Sequence, residues 1–309
     1  MTAARGWRQY PYMSPDRRKL AIVARFELAE ALRSRLVVVV LCLYGLGAAF
    51  GAFAFVKTLN AAEGGVREAA ERTMSAHDLP QGNLQREAIS QMLSHFVADK
   101  ELLADLLSVD PLALFYGFMA LQLVAPFVLL TSAGAHARDL RRGSTRFVLT
   151  RCDRLTWALG KTLAHGVLLG VGLGVSALTT AAVGLWLGRF DALSVFWLGR
   201  AALRALMYGL AYLGIFSGVS LAVRAPGPAL VSCVVAMFGL WFAHGLTRWA
   251  WLGQQLPGLR FLGWLFPAQY QELLWSPSWL VSGLAALALL AIGSAALAGG
   301  QWSFRRADA

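Results

Sequence analysis

The chain has 309 residues, of which 57% are hydrophobic and only 15% charged, whereas a soluble domain carries about 25% charged residues. This composition excludes a disordered chain, a secreted disulfide scaffold and an ordinary soluble enzyme. The formal net charge of +11 fits either a nucleic-acid-binding protein or a membrane protein with basic inner loops. The positions of the charges decide between these two classes.

The segment before the first apolar run predicts a helix over residues 19–35. Leu20 and Leu28 share an apolar side at helical spacing, and Arg25 lies on the opposite side. We expect this helix to lie along the inner membrane surface, with a solvated basic leader as the alternative. Residues 1–35 are therefore predicted to be a cytoplasmic lead that ends in an interfacial elbow helix.

Six long runs contain no Asp, Glu, Lys or Arg. They cover residues 36–56, 111–137, 162–188, 205–223, 225–247 and 273–304. A bilayer core about 30 Å thick is crossed by a helix of about 20 apolar residues, and a β-barrel would show short alternating segments instead. The sequence therefore predicts an all-α membrane protein in which residues 36–305 form one domain of six transmembrane helices, spans one to six.

The Lys and Arg residues are unequally distributed about the six spans. One side carries 18 of the 28, and the opposite side carries eight. Positive residues concentrate on the cytoplasmic side of a membrane, and an even number of spans places both termini together. We therefore predict that both termini are cytoplasmic. The charge excess is thus an orientation signal, and no nucleic acid partner is expected.

Two segments on the outer side are longer than simple connections. Residues 57–110 are polar first and then show apolar residues at helical spacing, which predicts two helical arms joined near residues 80–82. These arms could cap the outer mouth, contact a partner or pack on the membrane. Residues 248–278 are rich in Trp and broken by Pro and Gly, which favours a re-entrant or interfacial element.

Two arginines, Arg200 and Arg204, lie one helical turn apart in span four, which we extend to residues 192–223. A helix of that length measures about 48 Å and exceeds the thickness of the bilayer core. We expect both side chains to reach the outer lipid headgroups. A substrate path or an anion-binding pair is the alternative.

Three glycines in span three, Gly166, Gly170 and Gly174, recur at every fourth position. Small residues at this spacing permit close helix packing in lipid, either within one subunit or between subunits. No catalytic or metal site is predicted. Gly160-Lys161-Thr162 lacks the glycine that a phosphate loop carries five residues earlier, where Leu155 stands.

The connection between spans two and three is short and basic and reads ARDLRRGSTRFVLTRCDRLTWALGK over residues 137–161. It resembles the coupling region of type 2 ATP-binding cassette (ABC) export permeases, with a charged helix, Gly and Thr, a short apolar helix, an Arg-containing turn and Gly-Lys. The matching residues are Arg138, Asp139, Gly143, Thr145, Phe147, Val148, Leu149, Arg154, Gly160 and Lys161. Ser144 separates the usual Gly-Thr pair, which is a departure from the pattern.

The candidate coupling residues lie within the predicted coupling region 138–156. They are Arg138, Asp139, Arg141, Arg142, Gly143, Thr145 and Arg146. Glu27 matches the acidic position of the family's elbow helix, and residues 266–270 resemble its Pro-containing segment before the last span. The large first outer loop makes the layout similar to the permeases of nitrous-oxide-reductase maturation.

The resemblance implies an export permease of the bacterial cytoplasmic (inner) membrane that is not itself an enzyme. Two permease copies, identical or related, would pair with two cytoplasmic ABC ATPase subunits, which bind ATP and Mg, and this chain would carry no cofactor. A merely positive-inside loop is the alternative for residues 138–156. The alternative functions are a membrane scaffold or assembly factor that acts through its extracytoplasmic loop, and an integral-membrane enzyme.

Overall fold

The computed structural model describes residues 17–73, 109–248, 263–276 and 278–306. These residues form ten α-helices and two short 3₁₀ turns, and none of them forms a strand. The helices are α1 (Arg17–Arg33), α2 (Arg35–Thr73), α3 (Pro111–Ser132), α4 (Ala135–Arg142), α5 (Ser144–Leu149), α6 (Arg154–Trp186), α7 (Ala192–Val223), α8 (Pro226–Arg248), α9 (Tyr270–Trp275) and α10 (Trp279–Arg306).

Six of these helices are long and apolar enough to cross a membrane: α2, α3, α6, α7, α8 and α10. They confirm the predicted all-α fold and are spans one to six in that order. The helix α7 has the bounds expected for span four. Other helices extend beyond the charge-free runs, because a hydrogen-bonded helix can continue into the headgroup layer where polar side chains are solvated.

The outer extension of span one is longer than the sequence suggested. Helix α2 continues without a break to Thr73. Arg189, in the turn between α6 and α7, donates hydrogen bonds to the Glu63 carboxylate at 3.0 and 2.5 Å and to the Asn60 side-chain oxygen at 2.6 Å. The start of the first predicted arm is therefore a continuation of span one. Residues 74–108, including the predicted junction, lie outside the described residues.

The predicted outer element before span six is described in its second half. It consists of the 3₁₀ turns Gly263–Leu265 and Pro267–Gln269, followed directly by α9. Tyr270 donates its hydroxyl proton to the carbonyl oxygen of Trp264 at 2.7 Å, which ties the two parts together. The described half consists of short helical turns, as its Pro and Gly content predicts. Residues 249–262 lie outside the described part.

Helix α7 lies at the centre of the bundle and packs against α3, α6, α8 and α10. Its side chains Tyr208, Tyr212 and Phe216 are fully buried. The two tyrosine hydroxyls lie 3.3 Å apart, and Trp241 of α8 donates its indole N–H to the Tyr212 hydroxyl at 3.1 Å. These buried hydroxyls are thus partnered inside the bundle, as removal from water requires.

Helices α7 and α10 touch through their backbones. A Cβ built on Gly214 would lie 2.3 Å from the carbonyl oxygen of Gly293, and one on Gly300 would lie 2.3 Å from that of Gly218. No side chain fits at these positions. Lipid is as apolar as the helices, so close van der Waals packing of small residues holds two spans together in a membrane. These four glycines are therefore the packing residues of spans four and six.

The predicted glycines of span three are placed differently. A Cβ on Gly166 would make ordinary contact with Leu210 at 3.4 Å, whereas for Gly170 and Gly174 the described residues offer no heavy atom within 4 Å. On the same helix, a Cβ on Gly172 would lie 2.7 Å from the Phe127 ring. Gly170 and Gly174 thus meet nothing within the described part of this chain, and the alternative of a subunit interface there stays a prediction.

The backbone contact between α7 and α10 predicts a sharp difference between two substitutions on α10. Gly300→Val should lower the free energy of unfolding by at least about 1–3 kcal/mol, because its Cβ overlaps the backbone of α7. Gly283→Val has the same helix-propensity change with open space around it and should cost much less. Thermal unfolding of the purified protein in detergent measures both. Equal melting temperatures for the two variants would contradict the packing assignment.

Candidate functional site

The candidate site is the helical hairpin between spans two and three, on the predicted cytoplasmic side. Span two ends where the hydroxyls of Thr131 and Ser132 donate back to the carbonyl oxygens of Phe127 and Val128, at 2.9 and 2.7 Å. Such bonds compete with the helix ladder and favour a bend. The chain then turns and continues as the short helix α4.

Gly143 separates α4 from α5. Its backbone has φ +73°, and its N–H donates to the carbonyl oxygen of Leu140 at 3.3 Å, which closes the end of α4. The left-handed backbone conformation costs free energy in a residue that has a side chain, whereas glycine adopts it readily. The glycine therefore ends α4 and lets the chain change direction into α5, where Thr145 is buried.

The entry into span three is capped by Asp153. Its carboxylate accepts from the backbone N–H of Thr156 at 2.9 Å and from the Thr156 hydroxyl at 2.5 Å. A capping aspartate satisfies N–H groups that have no partner within the helix and favours the positive end of the helix dipole. The first turn of α6 is thereby fixed relative to the hairpin.

Three charged side chains from three helices meet at Lys161. The Lys161 ammonium, on α6, donates to the Glu27 carboxylate of α1 at 2.8 Å and to the Asp139 carboxylate of α4. The lysine side chain is only 4% exposed. We call Glu27, Asp139 and Lys161 the inner ion cluster. It joins the elbow helix, the hairpin and span three.

The electrostatics of the inner ion cluster follow from its burial. Removal from water raises the pKa of the Glu27 carboxyl, and the adjacent Lys161 ammonium opposes that rise. A buried ammonium is tolerated because two carboxylates surround it. Removal of one partner from a buried ion pair costs about 3–5 kcal/mol, because it leaves a charge without compensation.

Gly160 permits the close approach of α1 that the cluster requires. A Cβ at this position would lie 2.8 Å from the Val23 side chain and 3.2 Å from the carbonyl oxygen of Leu20. The two residues of the Gly-Lys pair therefore act together. Gly160 leaves space for the elbow helix, and Lys161 binds that helix through Glu27. This explains why both residue types occur together at the start of span three.

An aromatic cluster beside the ions connects the hairpin to spans four and six. Trp157 of α6 is buried, with ring centroids 5.6 Å from His136 of α4 and 6.2 Å from Phe304 of α10. The Arg224 guanidinium, at the end of α7, donates to the Phe304 carbonyl oxygen at 3.0 Å. In addition, the backbone N–H of Ala137 donates to the Ser220 hydroxyl of α7 at 3.1 Å. Spans three, four and six are thus connected at the hairpin.

The side of the hairpin opposite the inner ion cluster is exposed on the protein surface. The side chains of Arg138, Arg141, Arg142 and Arg151 are exposed, and Phe147 is 80% exposed. We call these five residues the docking tip. Aromatic and arginine side chains are enriched in protein interfaces. The tip therefore has the chemistry of a protein-binding surface.

A comparison with protein families identifies the chain. The family described as ABC-2 family transporter protein matches residues 21–252, about three quarters of the sequence. The chain belongs to the ABC-2 transporter family. The match begins in α1 and includes the whole hairpin, and it makes the chain a membrane permease component of an ABC transporter. No curated protein matches the sequence.

The family assignment confirms the resemblance to type 2 ABC permeases, while the nitrous-oxide-reductase maturation subtype stays a prediction. Two predicted site residues of this ABC-2 permease, Glu27 and Asp139, lie together in the inner ion cluster. The other predicted coupling residues are distributed over the two helices and their junction. Arg138, Arg141 and Arg142 lie on the exposed side of α4, Gly143 forms the turn, and Thr145 and Arg146 belong to α5.

Two residues of the site, Lys161 and Phe147, were not among the predicted site residues. Lys161 and Phe147 matched the family pattern, but neither the ion cluster nor the exposure of Phe147 followed from their spacing. The predicted outer pair, Arg200 and Arg204, lies on α7 far from the hairpin, and both guanidiniums donate to the carbonyl oxygen of Ser276.

The inner ion cluster predicts that Lys161 contributes more to the stability of the ABC-2 permease than a nearby exposed charge does. Lys161→Ala should lower the free energy of unfolding by about 3–5 kcal/mol, because two largely buried carboxylates, 11% and 17% exposed, lose their cation. Glu30→Ala, at an exposed acid of the same elbow helix, should change it by less than about 0.5 kcal/mol. Thermal or chemical unfolding in detergent measures both variants.

The Lys161→Ala variant should also respond to pH. A buried carboxyl with a raised pKa stabilises the fold below its unfolded-state pKa and loses that contribution as the pH rises through its folded-state pKa. Acidification should therefore return part of the lost stability to Lys161→Ala and little to Glu30→Ala. A Lys161→Ala protein as stable as Glu30→Ala at neutral pH would contradict the cluster.

Proposed function

We propose that this permease component works with a cytoplasmic ABC ATPase that docks on the docking tip. The observation that carries the proposal is the two-sided hairpin: one side is exposed, basic and aromatic, and the other is anchored by buried ions. An acidic groove with an apolar pocket on the ATPase would complement Phe147 and its arginines. ATP and Mg would be bound by the ATPase, and this chain would supply no catalytic group.

The anchored side of the hairpin supports a mechanical role. Closure of the ATPase pair around ATP would move α4 and α5 as one body. The inner ion cluster would pass that displacement to the elbow helix and span three, and the bond from Ala137 to Ser220 would pass it to span four. Packed interfaces transmit rigid-body shifts because they do not deform continuously. Movement of these spans relative to one another would open the substrate path.

We further propose that the chain exports its substrate across the bacterial cytoplasmic (inner) membrane as a dimer with an identical or related permease. The resemblance of residues 137–161 to export permeases supports the direction. In the most apolar part of spans one and five, only 22% and 17% of the residues are buried against the described part of the chain, which leaves apolar surface for a second permease or for lipid. The long first outer loop supports a relation to nitrous-oxide-reductase maturation permeases, which is part of the same proposal.

The docking tip predicts that reversal of its charge uncouples the two proteins. Arg141→Glu with Arg142→Glu should weaken the complex with the proposed cytoplasmic ABC ATPase by about tenfold or more, since like charges across an interface repel. Both side chains are exposed, so the permease should remain folded. Co-purification from detergent and substrate-stimulated ATPase activity in nanodiscs are the two measurements.

The matched control is Arg305→Glu with Arg306→Glu. This pair is also exposed, on the same predicted side of the membrane and at a helix end, but outside the tip, and should leave the complex intact. Phe147→Ala should weaken docking without loss of stability, because the ring is exposed in the free chain. Equal effects of the two arginine pairs would contradict the docking tip. If the wild-type chain retains no ATPase, the scaffold that acts through the extracytoplasmic loop is favoured instead.

A further inference from the structure

The outer pair of arginines forms a second cluster that the proposed docking does not use. Arg200 and Arg204 lie one turn apart on α7. Their Nη2 atoms donate to one acceptor, the carbonyl oxygen of Ser276, at 3.4 and 3.2 Å. Ser276 lies between α9 and α10. Two guanidiniums of span four therefore converge beside the outer end of span six.

Three indole rings cover the faces of these guanidiniums. The Cζ atom of Arg200 lies 4.4 Å from the ring centroid of Trp279 and 5.5 Å from that of Trp197. The Cζ atom of Arg204 lies 5.4 Å from the centroid of Trp275. Stacking occupies only the faces of a guanidinium, and its five N–H donors lie in the plane of the group. Stacking therefore leaves the edges of the guanidiniums oriented so that they bond an acceptor such as the Ser276 carbonyl oxygen.

The depth of the cluster follows from the helices around it. Helices α7 and α10 both run from the outer to the inner side and touch at Gly214 and Gly293. Span six begins at Trp279, beside Arg200, and tryptophan is enriched at the membrane interface. The guanidiniums therefore lie at the level of the outer headgroups, within reach of lipid phosphate.

The charges favour an anion between the two side chains. Two cations one helical turn apart repel each other. A phosphate presents several oxygens and matches the planar fork of arginine in a bidentate arrangement. Such a ligand would relieve the repulsion and add charge-assisted hydrogen bonds to the existing ones.

We propose that Arg200 and Arg204, framed by Trp197, Trp275 and Trp279, bind a phosphate group at the outer face of the permease. The phosphate belongs to the headgroup of an outer-leaflet phospholipid or to a free phosphate ion. This site is independent of the docking tip and of the transport proposal. It anchors spans four and six at the outer interface, where the Ser276 carbonyl joins them.

Native mass spectrometry of the full chain in detergent tests the site. The probes are phosphatidylglycerol, diacylglycerol with the same acyl chains, and inorganic phosphate. Arg200→Gln with Arg204→Gln should raise the dissociation constant of phosphatidylglycerol about tenfold, since two charge-assisted contacts are lost. Arg305→Gln with Arg306→Gln removes the same charge at the predicted inner end and should change it by less than about twofold. Diacylglycerol binding should not depend on either pair.

The outcomes separate the two sources of phosphate. Competition by inorganic phosphate that requires the arginines supports the site and assigns it to a soluble ion, whereas absence of competition supports the lipid headgroup. If the double variant does not fold, Arg200→Gln alone keeps the bond from Arg204 to Ser276 and should still weaken binding about threefold. Unchanged phosphatidylglycerol affinity in a folded variant, or equal arginine dependence of diacylglycerol, overturns the proposal.

Discussion

The inner half of this ABC-2 permease depends on one buried ammonium group. Lys161 is removed from water, and its charge is compensated only because α1 and α4 each bring a carboxylate to it. Loss of α1 or α4 would remove part of the charge that compensates Lys161. The elbow helix, the hairpin and the entry of span three therefore form one structural unit, and Gly160 allows that unit to close.

This unit explains how one short connection can be both rigid and available to a partner. The side of α4 that carries Asp139 is held by ions and by the bond from Ala137 to Ser220, while the side that carries Arg141 is exposed. These contacts connect the hairpin to several spans, so a displacement of the hairpin would reach all of them. The outer arginine pair is separate from this unit and joins spans four and six at the opposite face, through the Ser276 carbonyl oxygen.

The sequence predicted the six spans, but it did not predict which helices contact one another. Charge-free runs of bilayer length identify membrane helices because burial of a charge in lipid is costly, and the six spans followed from that rule. Glycine spacing alone does not show which helix is opposite, so the predicted stripe at Gly166 missed the backbone contact at Gly218 and Gly300. Likewise, Lys161 and Glu27 are 134 residues apart, and no local pattern connects them.

The central claim is that the elbow helix and the hairpin move as one unit. Spin labels at Ala29 of α1 and Ser144 of α5, both exposed, report the distance between them by pulsed electron resonance once Cys42 is replaced by serine. If the two helices move together, the labels should give one narrow distance that is the same in the nucleotide-free and ATP-bound complexes, and a broad distribution after Lys161→Ala. A wild-type distance that changes between the two nucleotide states would contradict it.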